Sequence, residues 1–339
     1  MIGKLPYLSV AVRVYNGEGT LRRCLEAVHL SSYKDYEVIV VDDGSSDNTY
    51  SIARLYADAI LKHSINQGLV VSCRTAFGAA SGDIIVNIDA DVVIRRDTLA
   101  RIAEYFTDNP EVDALTGLLS KEHPHTDFFS QYKNLYRHFS FMTLPERITF
   151  LYGSLFAIRK ENVALLSHYA GMAEDLFFGQ CLNAHGKKIA FLNNLEVMHL
   201  KKYSATSFFR NDFITSFCCA KVFLKYKGWQ QIAINSRKNY ADSSLRQIIS
   251  IIAVFGIVAG GAAFLLTNYK VFLAGTVCLF LVWVICNMNF LTFLSRERGF
   301  VFGLLSIPVT FMDQIIMLTG IMCGFTDMLL FRKISFQKR

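Results

Sequence analysis

No stretch of these 339 residues reads G-x-G-x-x-G or G-x-x-x-x-G-K-[S/T]. Without those glycine patterns, both a dinucleotide fingerprint and a P-loop lose support. The eight cysteines include no C-x-x-C pair; Cys218 and Cys219 are adjacent, and Cys278, Cys286 and Cys323 lie in apolar segments. That scatter fits neither a disulfide framework nor a cysteine zinc site, and it suits a reducing compartment. A signal-peptide core is also missing, because Leu5-Pro6-Tyr7 leads straight into a strand pattern. The soluble part is therefore expected in the cytosol.

What is present is apolar and basic. Hydrophobic residues make up 52% of the chain, a high share for a soluble protein, and the excess lies after residue 245. Lys and Arg outnumber Asp and Glu by 35 to 28. The length suits two ordinary domains, or one domain and a membrane region.

The stretch Ser81 to Asp91 organises the first half. Gly82-Asp83 is turn chemistry, and Ile84 to Ile88 is a β-branched run of the kind found in buried parallel strands. It ends on Asp89 and Asp91. In extended chain, side chains at i and i+2 point the same way, so the two carboxylates are expected to share one cation, or a cation and a sugar hydroxyl. The plainer alternative is that they cap the next helix.

Upstream, Leu8–Val14 reads as a first strand and Tyr15–Gly19 as a turn. A helix is expected over Thr20–Leu30, with Thr20 as N-cap. Val38–Val41 is a second strand that runs into Asp42-Asp43-Gly44-Ser45. There a carboxylate can accept from a base N–H or a ribose hydroxyl, and Gly44 lets backbone come close. Helices are expected through Ile52, Leu55 and Tyr56 and through Leu99, Ile102 and Phe106. The order is β-α-β-α-β, an α/β doubly wound, mostly parallel sheet.

Val41–Thr49, then Asn66-Gln67-Gly68, then Ala80–Asp83 and Asp89-Ala90-Asp91, taken together, resemble the family-two glycosyltransferases of GT-A fold over roughly residues 7 to 230. The resemblance implies that Asp43 meets the nucleotide base, that Asp89 contacts ribose or metal, and that Asp91 binds the divalent cation on the diphosphate. It places Val14, Tyr15, Asn16, Gly68, Arg74 and Ala90 around the nucleotide sugar, and Gly153 and Ser154, before the expected strand to Arg159, in the sugar and acceptor pocket. Ala173-Glu174-Asp175-Leu176 matches the family's E-D pair, with Asp175 as general base and Glu174 as a supporting acceptor-side carboxylate. His199 stands where the family often completes the metal site with Asp89 and Asp91. Carboxylate and imidazole together suit Mn²⁺, and Mg²⁺ is acceptable. Two departures stand out: Arg13 replaces a frequent Pro, and Cys73-Arg74-Thr75 replaces a frequent Ala-Arg-Asn. No Q-x-x-R-W occurs, which favours a single addition over processive synthesis.

His123 and His125 are read as surface residues. Phe128–Tyr152 and Tyr203–Gln231 interleave aromatics with Lys and Arg, and the second reads as an interfacial helix pair on lipid rather than a nucleic-acid face. Apolar segments at 248–266 and 271–294 are each long enough to span a bilayer. Residues 300–330 exceed one span and contain Pro308, Asp313, Gly320, Gly324 and Asp327. One straight crossing would export the tail Arg332, Lys333, Lys338 and Arg339 against the positive-inside rule, so a bent or re-entrant third segment is expected. The expected layout is a catalytic domain at 1–200, interfacial helices at 201–244 and membrane helices at 245–339. The expected protein is an inverting, metal-dependent glycosyltransferase in the cell membrane, with its catalytic domain in the cytosol. It would take a UDP- or GDP-sugar and a polyprenyl-linked acceptor, and would not bind nucleic acid. A glycerolipid or ceramide acceptor, a non-catalytic nucleotide-binding scaffold and a membrane nucleotidyltransferase are the alternatives.

Overall fold

A computed structural model describes residues 4–166, 173–228 and 245–331. The chain forms two compact units. Met1–His125 and Leu144–Lys202 belong to the first, Thr126–Thr143 and Tyr203–Lys333 to the second. Residues 126–143, expected inside the catalytic domain, thus join the helical unit.

The first unit is built on nine strands: β1 Leu8–Val14, β2 Tyr36–Asp42, β3 Ala59–Lys62, β4 Ile84–Asp89, β5 Val92–Val93, β6 Ala114–Leu119, β7 Arg147–Ile148, β8 Leu155–Arg159 and β9 Ile189–His199. The spatial order is β3-β2-β1-β4-β8-β6-β9-β5, with β7 on β9. The pairs β1–β2, β1–β4 and β2–β3 are parallel, while β8 runs antiparallel to β4 and β6. The expected mostly parallel, doubly wound sheet is therefore present, with β3 as a strand the hydrophobic pattern did not announce.

Successive strand residues alternate faces. Val10, Val12, Val38, Val40, Val86 and Ile88 lie in one core with Leu21, Leu25 and Val28 of helix α1 (Leu21–His29). Each such aliphatic side chain contributes about 1.5–3 kcal/mol when buried. Three further helices, α2 (Thr49–Ala53), α3 (Leu69–Ala79) and α4 (Thr98–Asp108), follow β2, β3 and β5. The expected cap at Thr20 does not form: its side chain makes no capping bond, and the Thr20 and Leu21 amides donate to Gly17 O instead.

Helix α5 (Phe128–Met142) opens on Asp127, whose side chain accepts from Ser130 N, and belongs to the second unit. Helix α6 (Glu174–Ala184) returns to the first. The second unit continues with α7 (Ala205–Lys225), which starts with a capping box of Ser204 and Ser207. Helices α8 (Leu245–Thr267), α9 (Lys270–Arg298) and α10 (Phe300–Phe331) are each long and apolar enough to cross a membrane. Apolar helices gain little from hydrophobic contact with each other in lipid, so polar bonds and close packing hold them. Gln314 Oε1 accepts from Ser250 Oγ and Trp283 Nε1, both at 2.8 Å, and Gln314 Nε2 donates to Asn287 Oδ1 at 3.0 Å. One glutamine thereby joins α8, α9 and α10.

Residues 300–331 form one helix with Pro308 inside it. At 32 residues it is about 48 Å long, more than a bilayer core requires. Helix α7 does not stand free as an interfacial helix. A methyl on Gly320 would meet Phe213 O at 2.5 Å, and one on Gly324 would meet Phe217 O at 2.4 Å. Backbone packs on backbone there, as small-x-x-x-small seams permit. Lys221 of α7 pairs with Asp327 of α10, and Lys133 of α5 pairs with Asp212 of α7. Trp229, the rest of the expected second interfacial helix and the basic tail lie outside the described residues.

Candidate functional site

Strands β1, β2 and β4 all run toward one sheet edge and end there on Val14, Asp42 and Asp89. Open α/β sheets bind ligands at that carboxyl edge. The candidate residues collect there in three groups.

The first group surrounds Arg13. Arg13 and Asp89 are register partners on neighbouring strands, so their side chains share a face. Arg13 donates to Asp89 Oδ1 at 2.7 Å, Glu174 Oε1 at 2.9 Å and Cys73 Sγ at 3.0 Å. Its side chain is 1% exposed and that of Glu174 is 7% exposed. Glu174, expected on the acceptor side, is thus engaged in an internal ion pair. Asp175 follows it on the first turn of α6. Its Oδ2 accepts from Gly153 N at 2.9 Å and its Oδ1 from Leu176 N at 2.8 Å. A methyl built on Gly153 would lie 3.2 Å from Asp175 Oδ2 and 3.6 Å from Asp89 Oδ2. Carboxylates from two separate elements therefore flank one glycine. Gly153 O accepts from Asn87 Nδ2 at 3.0 Å, and the neighbouring Ser154, which is buried, accepts from Asp89 N at 3.4 Å. Burial and the adjacent Glu174 push the Asp175 carboxyl up to about 6, against the opposing Leu176 and Gly153 amides. A base in that range is poised for proton abstraction near neutral pH.

The second group is Asp91 with His199. Strand β4 stops at Asp89, and the chain turns through Ala90 and Asp91 before β5. Asp91 therefore lies outside the strand, where the alternating-face rule no longer applies. Strand β5 pairs with β9, Val92 opposite His199, and His199 Nε2 lies 3.3 Å from Asp91 Oδ2. Burial acts to raise the Asp91 carboxyl, but His199 and Lys201 outweigh it and hold it below the ordinary value. No set of three or more acidic, His or Cys side chains is assembled around one ion position among the described residues. Asp91 and His199 are in contact, while Asp89 has one oxygen, Oδ1, held by Arg13. A carboxylate oxygen and an imidazole nitrogen at this spacing remain a fitting donor set for a divalent ion such as Mn²⁺, with coordination left for phosphate and water. His123 and His125 are half-buried rather than on the open surface; His125 Nε2 lies 3.1 Å from Leu200 O.

The third group is built on Asp43, which is buried. Its oxygens take the Gln67 and Gly68 amides at 2.9 and 2.8 Å and His63 Nδ1 at 2.6 Å. His63 Nε2 lies 3.0 Å from Thr75 Oγ1 of α3. With about four lone-pair positions on a carboxylate, one is left for a further donor. Asp43 is first of all the anchor of the 64–68 loop. Gly44, at φ +78°, would place a Cβ 2.6 Å from Ile65 C, so it permits a close approach of that loop. Asp42 caps its own turn, accepting from Ser45 N at 2.8 Å. Tyr15 is half exposed, and Asn16, at φ 49°, donates from its amide to Ser45 Oγ at 2.9 Å. Val14 O accepts from Asp43 N at 2.8 Å, and Arg74 is exposed on α3. A cavity of about 850 Å³ lined by Tyr7, Asp83 and Arg159 lies by the opposite strand ends and includes none of these groups.

Two members of this site were not assigned a role from the sequence. Arg13 was visible only as a departure from a family pattern. His63 had no signal without β3, whose end it follows.

Residues 9–165 match the family model for glycosyl transferase family 2. Glycosyltransferase AglE of Haloferax volcanii is 36% identical over 108 residues, covering 30% of this chain and 36% of its own length. Putative glycosyltransferase EpsH of Bacillus subtilis is 40% identical over 96 residues, covering 27% and 28%. Across such curated relatives the match spans between 16% and 36% of their length. Among solved structures, the mannosyltransferase PcManGT from Pyrobaculum calidifontis, in complex with GDP-Man and Mn²⁺, superposes with a TM-score of 0.59. The identity is 17%, with 97% of this chain and 89% of that chain covered, a likeness of fold. Residues 9–165 are thus similar to glycosyl transferase family 2, and the strand order and the superposed mannosyltransferase agree on the fold.

Proposed function

We propose that this protein transfers a sugar from a nucleotide-diphosphate sugar to a lipid-linked acceptor, with inversion at the anomeric carbon. The observation that carries the reading is the convergence of Asp89 and Asp175 on Gly153 within a family-two domain. Asp175 accepts the proton of the acceptor hydroxyl as its oxygen attacks the anomeric carbon from behind. The bond from that carbon to the diphosphate breaks, and its electron pair leaves with the diphosphate oxygen. Asp91 and His199 would hold a divalent ion, which supplies Lewis-acid stabilisation for charge building on the leaving group. Val14, Tyr15, Asn16 and Ala90 line the nucleotide end, with Asp43 and Gly68 fixing the loop beside it. Arg74 meets the diphosphate, and Gly153 and Ser154 line the sugar.

The three apolar helices support a membrane-borne acceptor. A polyprenyl phosphate or polyprenyl-linked saccharide is the first choice, with the catalytic domain cytosolic, at the cell membrane. The absence of Q-x-x-R-W supports single addition. Purified protein in lipid, given Mn²⁺ or Mg²⁺ and a panel of UDP- and GDP-sugars, is expected to release nucleoside diphosphate, faster with polyprenyl phosphate than with glycerolipid or ceramide. No release from any donor refutes the reading.

A further inference from the structure

Arg13 is a charged side chain buried beneath the reaction centre, and the chemistry above gives it no task. It offers two parallel tasks by geometry. One arm of its guanidinium holds Asp89 at the end of β4, and the other holds Glu174 at the start of α6. We propose that Arg13 is a positioning residue for the transfer step, tying the strand end of Asp89 to the helix start that carries Asp175, and that Glu174 serves through Arg13 rather than by touching the acceptor. This rests on the glycosyltransferase reading above.

Three observations carry it. Glu174 is 7% exposed, and its Oε1 is committed at 2.9 Å to Arg13, so little of its side chain is open to a substrate. The start of α6 needs a tether: Ala173 sits at φ 59°, a left-handed conformation an L-residue adopts at a cost, and no side chain caps the helix. The bonds that fix this first turn are Glu174 to Arg13 and Asp175 to the Gly153 and Leu176 amides. Finally, two carboxylates on different elements are spanned by one planar fork, which arginine provides and lysine does not. The permanent positive charge also offsets Asp89 and Glu174 together, leaving Asp175 as the carboxylate of this group free of an ion pair.

The test compares wild type with Arg13→Met, Arg13→Lys, Glu174→Ala and the Arg13→Met/Glu174→Ala double variant. Turnover is read as nucleoside diphosphate release, and binding as calorimetric titration with Mn²⁺ and nucleoside diphosphate. Displacing a reacting group by about 1 Å costs about 100-fold in rate. Glu174→Ala is therefore expected to lower kcat about 100-fold while acceptor KM stays within about twofold and diphosphate binding within about threefold. Arg13→Met is expected to lose a similar factor, Arg13→Lys to recover little of it, and the double variant to be about as impaired as either single one. A raised acceptor KM at unchanged kcat in Glu174→Ala overturns the inference, because it puts Glu174 on the acceptor. So does multiplication of the two single losses to about 10⁴, or lost diphosphate binding in Glu174→Ala. If Arg13→Met does not fold, Glu174→Ala and Arg13→Lys decide the matter on the same readouts. A wild-type protein inactive on every donor overturns the functional reading and the inference with it, an outcome distinct from any difference among variants.

Discussion

Gly153→Ala separates the chemistry of this site from its stability. Gly153 has no left-handed φ, so alanine introduces no backbone strain. The new methyl would meet no backbone; its nearest atoms are Asp175 Oδ2 at 3.2 Å and Asp89 Oδ2 at 3.6 Å. The first distance is tight, and relief requires the Asp175 carboxylate to yield by a few tenths of an ångström. Stability is expected to change by less than about 1 kcal/mol, since a shorter list of unfolded conformations offsets the crowding. The reaction, by contrast, depends on the space between the two carboxylates. A methyl there obstructs the sugar and moves the base, so kcat/KM is expected to fall about 100-fold, which is about 2.7 kcal/mol of transition-state stabilisation. Thermal unfolding and nucleoside diphosphate release on the same preparation check this. An unchanged rate at unchanged Tm refutes the reasoning, because it means the reacting atoms do not pass between Asp89 and Asp175. Gly179→Ala is the contrasting control, since its methyl would lie 2.3 Å from Phe150 Cα and should cost folding directly.

The pH profile follows from the Asp175 carboxyl at about 6. The base acts as the carboxylate, so kcat/KM should fall about tenfold per pH unit below about 6 and be level above it; a profile flat down to about pH 4 removes Asp175 from the role. Asp91→Asn and His199→Ala should each raise the Mn²⁺ concentration for half-maximal rate at least about tenfold, measured by titration after chelation. In the helical unit, Gly320→Leu should destabilise by about 1–3 kcal/mol or more, because its side chain meets the Phe213 carbonyl, whereas Gly275→Leu, with nothing within 4 Å, should be near neutral in melting measurements in detergent.

The strands that carry the site were legible because they are continuously apolar. Leu8–Val14 was expected and found with the same bounds. Strand β3 was not, since Ala59–Lys62 is four residues long and only half-buried, too short for a periodic signal. With it went His63. The D-x-D motif sits at the strand end, and the rule of alternating faces covers Asp89 alone, because the turn at Ala90-Asp91 ends the strand. That Arg13 reaches Glu174, 161 residues later, is not visible in sequence spacing. The apolar helices were plain from length and composition, but the seating of α7 on Gly320 and Gly324 depends on a pairing between helices that neither segment shows alone.

The most direct measurement is the behaviour of Asp175→Asn. Burial and Glu174 hold the Asp175 carboxyl above its usual range, so its ionised form opposes folding as pH rises through about 6; the neutral amide removes that penalty but leaves one of the Gly153 and Leu176 amides without an acceptor, so the neutral-pH Tm should change little. The account predicts a protein that binds nucleoside diphosphate with Mn²⁺ as wild type does yet transfers sugar at least about 100-fold more slowly. Transfer at the wild-type rate, with binding intact, contradicts it.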